Sequence, residues 1–190
     1  PVVLHLHDYN YGESLRLFPT FIRRAIVSMF SKAEGVAVLS RADRELAIET
    51  LGVAPERVEV VPNAVPSLKS TDEARRPSGI CRILFLGNPS RRKGVHDLIN
   101  ALASEPLSGL VWEATIAGGG NEVEVFRDQA ANAGLQDRVK FPGWLDRPTT
   151  VRLLNSSDIL VLPSYDEGMA MSVLEGISCG LCVICTAVGG

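Results

Sequence analysis

What this sequence lacks narrows its class first. It has four cysteines in 190 residues, too few for a fold stapled by disulfides. No run of roughly eighteen or more apolar residues occurs, so no segment reads as a membrane span. Neither sign of charge dominates: 19 Lys plus Arg against 22 Asp plus Glu leave a net charge of −3. That is without the basic excess of a nucleic-acid binder, so no nucleic-acid partner is expected. A dinucleotide fingerprint is missing too. Val123 stands where the third glycine of G-x-G-x-x-G would follow Gly118, which argues against a dehydrogenase or epimerase. What remains, 46% hydrophobic and 22% charged residues, suits a folded chain with a sizeable core. The chain opens on Pro1 inside an apolar run, so we expect a piece of a longer or processed protein.

Three of the cysteines, Cys179, Cys182 and Cys185, follow a C-x2-C-x2-C spacing that looks like a metal or iron–sulfur signature. The segment reads instead as a helix exit, a glycine turn and a buried strand. Side chains alternate along a strand, so Cys182 and Cys185 point to opposite faces. No metal site is expected. Reduced, structural cysteines suit a cytoplasmic protein.

Runs rich in β-branched residues alternate with amphipathic stretches along the chain. Strands are expected at 1–7, 35–40, 58–61, 81–86, 111–117, 139–141, 159–162 and 182–185. Helices are expected at 20–32, 42–51, 94–103, 122–133, 148–155 and 171–178. Such alternation implies βαβ units and parallel sheets. Asn63–Gly79 is polar and poor in apolar residues, which divides the chain into 1–65, a linker at 66–80, and 81–190. In open α/β sheets ligands bind beyond the carboxyl ends of the strands, so the loops there hold the chemistry.

Gly87-Asn-Pro-Ser-Arg-Arg-Lys-Gly94 puts Arg91, Arg92 and Lys93 just before a helix start. Helix N-termini and cations both favour phosphate, although a charge run is also an ordinary solvated turn. The Gly118-Gly119-Gly120 loop lets backbone approach a ligand. After residue 162, Glu167 stands in a glycine-containing loop and Glu175 inside the next helix. Carboxylates accept hydrogen bonds from paired hydroxyls, as a sugar or ribose offers; two glutamates at this spacing also occur by chance. His5 and His7 share one strand face, and His7 is placed to reach a cleft. The helix at 20–32 carries Arg23, Arg24 and Lys32 beside Phe21, Met29 and Phe30. It reads either as a basic amphipathic helix touching a membrane surface or as an ordinary helix covering the sheet.

Taken in order, these motifs resemble the retaining GT-B glycosyltransferases of family four, the glycosyl transferases group 1. The residues that carry the resemblance are Ile83-Leu-Phe-Leu-Gly87 with Arg92-Lys-Gly94, Ala117-Gly-Gly-Gly120, Val139-Lys-Phe-Pro-Gly143 and Asp158-Ile-Leu-Val-Leu-Pro-Ser164. They continue with Glu167-Gly-(x6)-Glu175 and Gly180–Gly190; upstream, Val36–Ser40 and Val60–Val65 match as well. The resemblance implies two Rossmann-like lobes. Here these are the second half of the N-terminal, acceptor-side lobe and most of a C-terminal lobe that binds a nucleotide-sugar. A whole member is roughly twice as long, with two lobes of ordinary domain size, so this piece alone is expected not to catalyse.

By the same resemblance, Lys93, with Arg91 and Arg92, meets the donor diphosphate, and Glu175 holds the ribose. Glu167 and the amides of Gly168, Met169 and Ala170 meet the transferred sugar. Gly87, Gly118 and Gly119 line the cleft, Gly143 and Trp144 edge the base, and His7 contacts sugar and phosphate. Asn88 stands where the family usually has Arg, and Ala170 where it usually has Pro. Transfer from a nucleotide-diphospho-sugar to a glycan or lipid-linked acceptor is implied, with retention of configuration and no cofactor. No Asp-x-Asp motif is present, in keeping with metal independence. The implied setting is polysaccharide biosynthesis in the cytoplasm, including peripheral contact at the inner membrane face. The departure at Asn88 sustains an alternative, a non-catalytic GT-B-like domain that binds a nucleotide or a partner.

Overall fold

Three short β-branched runs pair side by side at the start of the chain. They are β1 (Val3–Leu6), β2 (Gly35–Val38) and β3 (Val58–Val60), parallel and in the order β1-β2-β3. Parallel neighbours need crossovers, supplied by α1 (Tyr11–Leu17), α2 (Thr20–Ser31) and α3 (Arg41–Glu49). Leu6, Leu15, Phe30, Val36, Val38, Ala47, Leu51 and Val58 form the buried core between them. The computed structural model describes residues 2–6, 11–68 and 79–189, and it divides into two compact units. The first is Pro1–Ala64 with Asp166–Ala170 and Val188–Gly190; the second is Val65–Tyr165 with Met171–Ala187.

Two expectations for the first unit need correction. The pattern gave no element at 11–17, yet α1 forms there; Leu15, nearly fully buried, anchors it. The inward face of α2 is narrower than the sequence pattern implied. Ile26, Val27 and Phe30 pack on the core, whereas Phe21 is 73% exposed and Met29 also faces out. The helix covers the sheet with one stripe only.

The second unit is a five-stranded parallel sheet of β4 (Cys81–Leu86), β5 (Trp112–Ala117), β6 (Val139–Gly143), β7 (Ile159–Leu162) and β8 (Cys182–Cys185). Its crossovers hold α4 (Val95–Leu102), a short α5 (Glu105–Ser108), α6 (Val123–Asn132), α7 (Arg147–Ser156) and α8 (Met171–Ser178). In β4 the adjacent Leu84 and Phe85 are both fully buried, as in a strand covered on both faces. The strand order is β6-β5-β4-β7-β8. Building proceeds outward from β4 to β6, then restarts on the other side of β4 with β7. That reversal is the switch point at which doubly wound sheets bind ligands.

β8 is not the buried strand that the cysteine pattern implied. It pairs with β7 alone among the described residues, so Cys182 and Cys185 are exposed and only Cys179 is buried. The apolar Ile177 of α8 is likewise exposed, and the buried Gly176 lies against Leu160. Among the described residues no three His, Cys, Asp or Glu side chains are grouped to hold a metal. No helix among them is long and apolar enough to cross a membrane.

Candidate functional site

The two loops that leave β4 and β7 meet at the switch point. Tyr165 N–H donates to the Arg92 carbonyl at 2.9 Å. Gly94 has φ +69°, and a Cβ on it would overlap the Pro163 carbonyl oxygen and lie 2.7 Å from the carbonyl carbon. Only glycine combines that backbone conformation with that approach. The turn Arg91-Arg92-Lys93 is therefore stitched to the exit of β7, directly ahead of α4. Lys93 N–H donates to the Ser90 carbonyl at 3.1 Å. Arg91 N–H donates to Glu122 Oε2 at 3.1 Å, so one amide of this turn already serves an anion.

The glycine loop closes on its neighbours in the same way. Gly87 N–H donates to the Ala117 carbonyl at 3.0 Å, and Gly118 N–H to the Gly143 carbonyl at 2.9 Å. Gly118 has φ +136°, and a Cβ there would lie 2.7 Å from the Gly87 carbonyl carbon. The Trp144 indole lies over Gly119, and the Asn88 amide oxygen lies against Gly120. Gly87, Asn88, Gly118, Gly119, Gly143 and Trp144 thus come together at the carboxyl ends of β4, β5 and β6. Trp144 is 75% exposed, an aromatic plane available for stacking.

Glu175 sits in the second turn of α8 with its side chain only 13% exposed. Arg147 Nη1 donates to its Oε1. Arg147 is the first residue of α7, behind an N-cap in which Asp146 accepts from Thr149 N–H at 2.9 Å. Hydrogen bonding from Thr149, first from its side chain and then from this backbone N–H, holds the Asp146 carboxyl below its usual range. Sequence reasoning missed Arg147. The signal was available: a cation at a helix N-terminus opposes the helix dipole and calls for a carboxylate partner. A further unforeseen cluster lies beside the basic turn. The Tyr165 hydroxyl donates to Asp97 Oδ2 at 2.7 Å, and the Tyr165 ring stacks on His96 at 5.9 Å. Asp97 raises the Tyr165 phenol above its ordinary value.

The other expected residues are placed elsewhere. Glu167, Gly168, Met169 and Ala170 group with the first unit. There Asn63 N–H donates to Met169 Sδ at 3.1 Å, and the Glu167 carbonyl packs against Gly189. His5 is exposed on β1. His7 lies outside the described residues.

The family model for glycosyl transferases group 1 matches residues 70–190. The chain belongs to that family. A model for glycosyltransferase family 4 matches residues 1–67. The glycogen synthase of Mycobacterium tuberculosis is 28% identical over 195 residues, covering 100% of this chain and 47% of that protein. Anabaena Alr3699/HepE in complex with UDP superposes with a TM-score of 0.80 at 26% identity, over 100% of this chain and 54% of that one. The same protein in complex with UDP-glucose gives 0.78 at 25%, with the same coverage. A glycosyltransferase from Rickettsia africae shares the fold at 20% identity and a TM-score of 0.79, over 99% of this chain and 52% of that one. This chain of the family therefore spans about half the length of the relatives it matches. Its fold is the α/β, parallel-sheet architecture of GT-B glycosyltransferases.

Proposed function

We propose that the protein is a retaining glycosyltransferase that moves a sugar from a nucleotide-diphospho-sugar to a glycan or lipid-linked acceptor without a metal. The observation that carries this reading is the switch point of the second unit, where a basic turn ahead of α4 and two backbone-lined glycine loops converge. A nucleotide diphosphate fits that chemistry, and the UDP and UDP-glucose complexes of the Anabaena protein support it.

In this reading Lys93, Arg91 and Arg92 face the diphosphate with the α4 N-terminus behind them. Glu175 accepts from the ribose hydroxyls, Trp144 and Gly143 flank the base, and Gly87, Gly118 and Gly119 let backbone approach the donor. Glu167 and the amides of Gly168, Met169 and Ala170 meet the sugar hydroxyls, and His7 meets sugar and phosphate. During transfer the bond from the anomeric carbon to the diphosphate oxygen breaks through an oxocarbenium-like transition state. The acceptor hydroxyl oxygen bonds that carbon from the leaving-group face, and its proton departs with the diphosphate. Negative charge grows on the diphosphate, and preorganised cations and amides lower the barrier there. The glutamates bind hydroxyls here and are not the acid and nucleophile of a glycosidase.

A second reading, a non-catalytic nucleotide-binding domain, draws on Asn88, whose neutral side chain lies against Gly120. Calorimetric titration of UDP, GDP and ADP, each free and with its sugar, tests the donor site. One nucleotide is expected to bind selectively, at least tenfold more weakly in Lys93→Ala and in Glu175→Ala. Binding that both variants leave unchanged, or no binding at millimolar nucleotide to the folded chain, refutes the site. Sugar turnover with the matching donor separates the two readings.

A further inference from the structure

We infer that the first unit holds a second binding site, shaped for a phosphomonoester on a small polyhydroxylated body such as a sugar phosphate or polyol phosphate. A cavity of about 470 Å³ opens between α1, α2 and α3, within the range of small-molecule sites. Its floor is apolar, from Leu15, Val27 and Leu46. Gly12 makes the floor possible, since a Cβ there would come within 2.7 Å of Leu46 Cδ1.

The cationic rim supplies the specificity. Arg16 on α1 and Arg23 on α2 both line the cavity. Neither side chain has an ion pair or hydrogen bond among the described residues, whereas Arg82 pairs with Glu113 and Arg147 with Glu175. Two guanidinium groups from different helices converging on one hollow suit a phosphate, which planar N–H forks bind in pairs. Asp43 and Thr50 also line the cavity. Asp43 Oδ2 accepts from Ser40 Oγ at 2.8 Å as part of the α3 cap, which fixes the carboxylate and leaves its other oxygen for a ligand hydroxyl. One charged end, one hydroxyl-binding side and a short apolar floor fit a phosphorylated polyol better than a bare anion or a lipid chain.

The site stands on the first unit alone. It does not depend on the donor reading above, and the experiment keeps the two apart. Glucose 6-phosphate, glucose and inorganic phosphate are titrated into the chain by calorimetry, with UDP in parallel. Glucose 6-phosphate is expected to bind at least tenfold more tightly than glucose or phosphate. Arg16→Met and Arg23→Met are each expected to weaken it about tenfold, and Leu46→Trp, which fills the cavity, to abolish it. UDP binding should be unchanged in all three. No binding of glucose 6-phosphate to the folded wild-type chain overturns the inference. So does affinity unchanged in all three variants, or phosphate binding as tightly as the ester. Loss of UDP binding with glucose 6-phosphate binding intact refutes the donor reading and leaves this site standing.

Discussion

Gly94→Ala is the sharpest probe of the switch point, because its cost has two separable parts. The first is conformational: holding an L-residue at φ +69° costs about 1–2 kcal/mol. The second is steric. The new methyl would overlap the Pro163 carbonyl, a backbone group held by β7, so it cannot rotate aside as a side chain would; overpacking of this kind adds about 1–3 kcal/mol. Gly134→Ala supplies the control, since Gly134 has φ +72° with nothing within 4 Å of its Cβ position. It carries the first cost and none of the second. Urea unfolding followed by tryptophan fluorescence reads the correct unit, because both tryptophans, Trp112 and Trp144, lie in Val65–Tyr165. With a denaturant slope of about 2 kcal/mol per molar, the midpoint should fall by about 0.5–1 M in Gly134→Ala. In Gly94→Ala it should fall by about 1–2.5 M. Nucleotide affinity should also drop in Gly94→Ala alone, since the Arg92 carbonyl must move from Tyr165 N–H as the turn shifts. Equal midpoints for the two variants would refute the claim that the basic turn and the β7 exit are locked by backbone contact.

Three other measurements bear on the second unit. Gly119→Ala places its methyl against the Trp144 indole, a mobile and exposed side chain, so the expected cost is below about 1 kcal/mol while tryptophan emission shifts; an unchanged spectrum counts against the stacking. Thiol labelling at pH 8 should mark exposed Cys182 and Cys185 first and buried Cys179 only on unfolding, with Cys81 slow because burial and then Asp158 push its thiol above its ordinary value; mass spectrometry showing Cys81 labelled as fast as Cys182 would contradict this. Glu113 is held below its ordinary value, first by a hydrogen bond from Lys140 and also by Arg82. Its contribution is therefore present above the ordinary carboxylate pKa and lost as pH falls through the depressed value. Glu113→Gln should flatten the acid side of the stability profile and leave its slope near neutrality unchanged; parallel profiles from pH 2 to 6 would refute that linkage.

Most strands and crossovers were legible because their signal is local. Cys81–Leu86 reads as a buried strand from its own residues, and Val95, Leu98, Ile99 and Leu102 recur at helical spacing. What the pattern could not carry was lateral order. Every βαβ unit looks alike along the chain, so nothing local says that β7 returns to the flank of β4 instead of continuing past β6. Exposure at the margins failed for the same reason. Cys182–Cys185 has the composition of an interior strand, but burial depends on how many neighbours the strand acquires, and β8 pairs with β7 alone among the described residues.

The candidate site divides along the same line. Arg91, Arg92, Lys93, Gly118 and Glu175 could be named because each belongs to a contiguous motif. Arg147 could not, because its meaning lies in a carboxylate 28 positions away on another helix. That pairing also changes how Glu175 is understood. A carboxylate 13% exposed beside a half-exposed guanidinium is held in one orientation before any ligand arrives. One oxygen is engaged; on the proposed donor reading the second takes a ribose hydroxyl without breaking the pair, since a carboxylate accepts several hydrogen bonds. On that reading Arg147 is the positioning residue for Glu175. Its replacement by Met should lower nucleotide affinity and also the urea midpoint, since it takes the partner from a carboxylate that is only 13% exposed. Tighter nucleotide binding in Arg147→Met would mean the opposite, that the guanidinium competes with the ribose for Glu175.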